Sequence, residues 1–136
     1  MGFWHALANF NLLILASDHF ITSAMGICFP QKAARLYERM FGATMPLTPE
    51  LIAVLKPWGA LGIFASLAGL LPVFDPVRYR GVLYALLVLL ALRVVIRVWN
   101  ANTAQRHFNL SLGRNLFHIG LILLCATVIA GQLVWW

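Results

Sequence analysis

Residues 81–107 read GVLYALLVLLALRVVIRVWNANTAQRH, and this stretch decides what kind of molecule the chain makes. Its first half is an unbroken apolar run. Its second half carries Arg93, Arg97, Asn100, Ala104 and His107 at offsets of 0, 4, 7, 11 and 14. On a helix of about 3.6 residues per turn, those offsets fall on one face. The stretch is therefore predicted to be a helix suited to lipid at its start, with a cationic stripe along its later turns.

Composition extends that conclusion to the whole chain. Of 136 residues, 62% are hydrophobic and only 10% charged, with a mean hydropathy of +0.85. A water-soluble domain carries roughly a quarter charged residues, because its surface must face water. Most side chains here must instead face lipid. The expected fold class is all-α: one transmembrane domain over residues 1–136, a bundle of four transmembrane helices plus a short interfacial amphipathic helix.

The net charge of +6 does not indicate nucleic acid, because the basic residues adjoin hydrophobic spans, where positive charge sets topology and meets anionic lipid. The expected partners are the lipid bilayer, including its anionic lipids, and other membrane subunits. Cys28 and Cys125 have no CxxC or Cys/His spacing and are read as buried packing residues.

Working outward, the spans are expected at about 6–29, 51–74, 81–100 and 112–134. The first lacks the basic leading region of a signal peptide and holds Asp18 in its apolar part, so it is read as a retained span. Between Pro30 and Gly42 lies an interfacial helix, about 31–41. Ala33, Leu36, Tyr37, Met40 and Phe41 form its apolar face; Lys32, Arg35, Glu38 and Arg39 lie around the other side. Thr48-Pro49-Glu50 is a helix-start signal.

In the second span Gly59, Gly62, Ser66 and Gly69 recur at 0, 3, 7 and 10, a small-residue face on which another helix can press closely. The linker from Ala101 to Ser111 is expected to continue the third helix beyond the membrane and break near Gly113. Trp135 and Trp136 resemble an interfacial aromatic belt.

Eight basic residues follow spans one and three (Lys32, Arg35, Arg39, Lys56, Arg93, Arg97, Arg106, Arg114), against Arg78 and Arg80 on the other side. The positive-inside rule then makes the first group cytoplasmic, in a bacterial inner membrane, with both termini outside.

Ionisable groups within spans mark pairing or function. At about 1.5 Å per residue, Asp18, His19, Arg93 and His118 fall roughly 9–16 Å from the cytoplasmic ends of their helices. Asp18 and Arg93 are expected to form a buried ion pair. His19 and His118 are candidate ligands for b-type haem or quinone. Pigment or bound lipid is a further cofactor class, and no metal is expected. Lys32, Arg35, Arg39, Arg97, Arg106 and Arg114, with Asn115 in the third loop's polar cluster, are expected to contact lipid or a partner.

Walker-type loops, HExxH, GxSxG and paired catalytic acids are absent from the sequence. With 4 acids in total, acid–base catalysis has little to work with, and no catalytic residue is assigned. The expected function is a non-catalytic accessory subunit of a respiratory or photosynthetic membrane complex. The alternatives are a redox anchor using His19 and His118, and a small proton- or solute-coupled transporter using Asp18. The layout, four short spans with a basic interfacial helix after the first, resembles small four-helix inner-membrane proteins such as the DoxX-like group.

Overall fold

The computed structural model describes residues 2–44 and 46–134, and within them the chain is all-helical. Four helices are long and apolar enough to cross a membrane: α1 (Phe3–Cys28), α3 (Pro49–Phe74), α4 (Arg80–Trp99) and α6 (Leu112–Val134). The shortest has 20 residues, about 30 Å of helix, which matches a hydrocarbon core. Two shorter amphipathic helices, α2 (Pro30–Phe41) and α5 (Ala101–Phe108), lie together at one end. Trp135, Trp136 and the Phe41 side chain lie outside the described residues.

Local chemistry sets the boundaries. Pro30 opens α2, and Gly42 closes it at φ 65°, in the left-handed region that a side chain disfavours. The space a Cβ would need at Gly42 is filled by the Arg114 guanidinium. Within α2, Ala33 is buried while Lys32, Arg35 and Arg39 are exposed. The Thr48 hydroxyl caps α3 by accepting from the Leu51 amide at 3.2 Å, with Pro49 next in line. At the far end, the Asp75 carboxylate accepts from the Arg78 amide at 2.9 Å and tightens the turn into α4.

The long helix expected to run on past residue 100 is interrupted. Asn100 sits at φ −92° and ψ 12°, ending α4, and α5 begins as a separate helix. Asn100 makes no side-chain capping bond; it marks the point where lipid-suited sequence gives way to polar sequence. Ala104 and His107 therefore belong to α5, not to the helix that carries Arg93 and Arg97. The next break also falls earlier than expected: Asn109 at φ 53° ends α5, the Leu110 amide bonds back to the Ala104 carbonyl, and Gly113 lies inside α6.

α1 packs most extensively on α3, and α4 on α6. The small-residue face makes the first contact. A Cβ at Gly59 would lie 2.6 Å from Ile27 Cγ1 and 3.0 Å from the Ser23 carbonyl oxygen, and one at Gly62 would lie 2.0 Å from Ser23 Oγ. Ser66 is buried and bonds to the Gly62 carbonyl at 2.8 Å; Gly69 faces Leu86 of α4. Leu12, Leu83, Leu86, Leu90, Ile129 and Leu133 form the hydrophobic core, toward the Asp75 end of the bundle. There Arg80 Nη2 donates to the Leu133 carbonyl at 2.9 Å, satisfying an oxygen that the last turn of α6 leaves open.

Candidate functional site

The leucine core fills the Asp75 end, and the ionisable side chains singled out within the spans collect in the other half. They line a cleft of about 270 Å³ between α1, α4 and α6, which Met40 of α2 also reaches. Asp18 and His19 come from α1, Arg93 and Arg97 from successive turns of α4, and His118 from α6. Leu15, Leu90, Leu121 and Ile122 supply an apolar wall. The four intramembrane ionisable residues singled out from sequence thus share one site.

Their pairing differs from expectation. Arg93 Nη1 donates to His19 Nε2, and the Asp18 carboxylate lies 3.8 Å from His19 Nδ1. Neighbouring positions on a helix point about 100° apart, so the choice between Asp18 and His19 as Arg93's partner turns on helix rotation. Rotation puts the imidazole inward and leaves Asp18 exposed, at 47% of its side-chain surface. Among the described residues, no arginine or lysine lies within ion-pair distance of a carboxylate.

A guanidinium donates and never accepts, so His19 Nε2 must offer its lone pair to Arg93. The proton then sits on Nδ1, which donates to the Leu15 carbonyl at 2.9 Å. His19 is thereby held as a neutral imidazole with both nitrogens engaged. Iron ligation by Nε2 would require that Arg93 first be displaced.

One turn along, Arg97 and Asn115 clasp each other. Arg97 Nη1 donates to Asn115 Oδ1 at 3.1 Å, and Asn115 Nδ2 donates to the Arg97 carbonyl at 3.2 Å. Asn115 is 4% exposed, so both bonds are shielded from solvent. They lock α4 to α6 beside the cleft. A second tie, from Asn11 Nδ2 to the Cys125 carbonyl at 3.4 Å, joins α1 to α6.

The rest of the expected basic cluster lies outside the cleft. Arg106 is exposed on α5, and Arg114 packs over Gly42, tying the start of α6 to the end of α2. The Thr44 amide donates to the Phe108 carbonyl at 2.8 Å, so α2 and α5 are joined as one layer across this end. Cys125 lines the cleft and is partly buried, whereas Cys28, expected to be buried, is exposed at the end of α1, where neighbouring helices give it no cover.

Met40, Asn11 and Arg80 were not legible as site or tie residues. Asn115 had a signal: it precedes His118 by three positions and so shares its helix face. No family model matches the chain, and no curated protein or solved structure is significantly similar to it.

Proposed function

We propose that the protein is a non-catalytic accessory subunit of a larger membrane assembly of respiratory or photosynthetic type. It docks through the end formed by α2 and α5, which is the cytoplasmic side of a bacterial inner membrane. One observation carries the proposal: Lys32, Arg35, Arg39, Arg106 and Arg114 are all exposed at that end, and none has a carboxylate within ion-pair reach among the described residues. The layer that presents them is stiffened by the Thr44–Phe108 bond and the Arg114–Gly42 contact. A fixed cationic surface suits an acidic surface on a partner, because electrostatic complementarity sets register and speeds encounter.

Two alternatives receive less support. A haem anchor needs the His19 lone pair that Arg93 occupies. Transport through a single copy needs a path past Leu12, Leu86, Leu90 and Ile129, where the core is tightly filled.

The deciding experiment is solubilisation from the native membrane in mild detergent, followed by native electrophoresis and mass spectrometry. The wild type should migrate within a complex well above its own 15.2 kDa. Lys32, Arg35 and Arg39 changed together to Gln should release it. A wild type that migrates alone, free of other polypeptides, would refute the assignment.

A further inference from the structure

We propose that the cleft between α1, α4 and α6 is a binding site for the anionic head group of a membrane amphiphile, a carboxylate or a phosphate, held by Arg93 and Arg97. The inference is independent of which assembly the protein joins. It rests on charge. Both guanidiniums are half-buried and line the cleft, and each makes its hydrogen bond to a neutral acceptor: Arg93 to His19 Nε2 and Arg97 to Asn115 Oδ1. The one carboxylate on the lining, Asp18, is within ion-pair reach of neither.

Two cations thus stand at span depth with no carboxylate of the described residues in ion-pair contact, an arrangement that low dielectric penalises. Each guanidinium has five N–H donors, and one of each is accounted for by these bonds. Residues four apart on a helix are neighbours, about 6 Å between Cβ atoms, so one head group with two or three oxygens can bridge both forks. The planar fork of arginine matches carboxylate and phosphate in a way a lysine would not.

The rest of the lining fits an amphiphile rather than a free ion. Ile14, Leu121 and Ile122 give the cleft an apolar wall. Its 270 Å³ lies just below the range of whole-ligand pockets, so it takes the head and first methylenes while the chain runs on into lipid. A cationic ligand is excluded by the two arginines.

The test is equilibrium binding of tritiated oleate to the full-length protein in dodecyl maltoside, at a pH where oleate is ionised. Unlabelled oleate and oleoyl lysophosphatidate should compete. Oleyl alcohol, decylubiquinone and inorganic phosphate should fail at equal concentration. Arg97→Gln should weaken binding at least about tenfold, the loss expected for a charged hydrogen bond. Because that change also removes the clasp on Asn115, Leu121→Trp supplies a second variant that fills the cleft and leaves every charge in place. It should abolish saturable binding while gel-filtration behaviour stays that of wild type.

Equal competition by oleyl alcohol or decylubiquinone would overturn the anionic specificity, leaving an apolar or quinone-type site. Equal competition by phosphate would overturn the amphiphile. Unchanged oleate binding in Leu121→Trp would place the ligand elsewhere and refute the site.

Discussion

Arg93 and His19, on helices three elements apart in chain order yet adjacent in space, are joined side chain to side chain, and the arginine fixes the histidine's tautomer. The guanidinium can only donate, so Nε2 accepts and Nδ1–H is committed to the Leu15 carbonyl. The polar centre of the spans is therefore a cation bonded to a neutral ring, with Asp18 standing beside it. This is a different object from the ion pair that a count of intramembrane charges suggests.

Nitrogen-15 NMR of histidine-labelled protein should show His19 as the neutral Nδ1–H tautomer, with Nε2 shifted as an unprotonated acceptor. Replacing the ring by Ala leaves the Arg93 guanidinium without its acceptor. That should lower stability by about 1–3 kcal/mol in detergent-mediated unfolding. His19→Gln, whose amide oxygen can accept from Arg93, should recover part of the loss. An Nε2–H tautomer at His19 would mean that the Arg93 bond is not made in the membrane.

The close approach of α1 and α3 gives a graded prediction along the glycines. At Gly59 an added Cβ meets the Ser23 backbone oxygen at 3.0 Å as well as Ile27, and neither helix can yield without a shift of the whole contact. Gly59→Ala should cost about 1–3 kcal/mol. At Gly62 the nearest obstacle is the Ser23 hydroxyl, which can turn to another rotamer and leave only the Ser23 Cβ, at 3.1 Å, so Gly62→Ala should cost less than Gly59→Ala. Gly26 and Gly120 have nothing within 4 Å of the added atom. Alanine there should be neutral or stabilise by up to about 1 kcal/mol, since glycine is a poor helix former. Equal effects at all four positions, measured by unfolding in mixed micelles, would remove the case for the α1–α3 contact.

What the sequence made legible follows from how strongly each feature is encoded. Four apolar runs of about twenty residues admit few foldings, and the ends of α2 were written in Pro30 and Gly42. The small-residue face was readable because its register, Gly59 to Gly69, is local to one helix. Helix breaks at Asn100 and Asn109 were harder, since asparagine only weakly favours leaving a helix, and Gly113 offered a more obvious stop. The partner of Arg93 was out of reach for a different reason. Choosing between Asp18 and its neighbour His19 requires the rotation of α1, which packing of Leu12 and Ala16 into the bundle sets and no single residue declares. The Arg97–Asn115 clasp is likewise a relation between two helices, although the shared face of Asn115 and His118 hinted at it.

Orientation gives the last prediction, because the proposed docking face requires the α2 and α5 end to face the cytoplasm. Cys28 sits at that end and is exposed, while Val77, also exposed, sits in the turn at the other. The two ends carry basic residues in a ratio of eight to two, and translocation disfavours the richer side. In a Cys28→Ser, Cys125→Ala background, a cysteine at Val77 should react with a membrane-impermeant maleimide in intact spheroplasts. One placed at Arg106 should react only after permeabilisation. Both sites are solvent-facing in the fold, so a failure to label cannot be ascribed to burial in the protein. The reverse pattern would put the cationic layer outside the cell and separate it from any cytoplasmic partner, while leaving the cleft and its two arginines untouched.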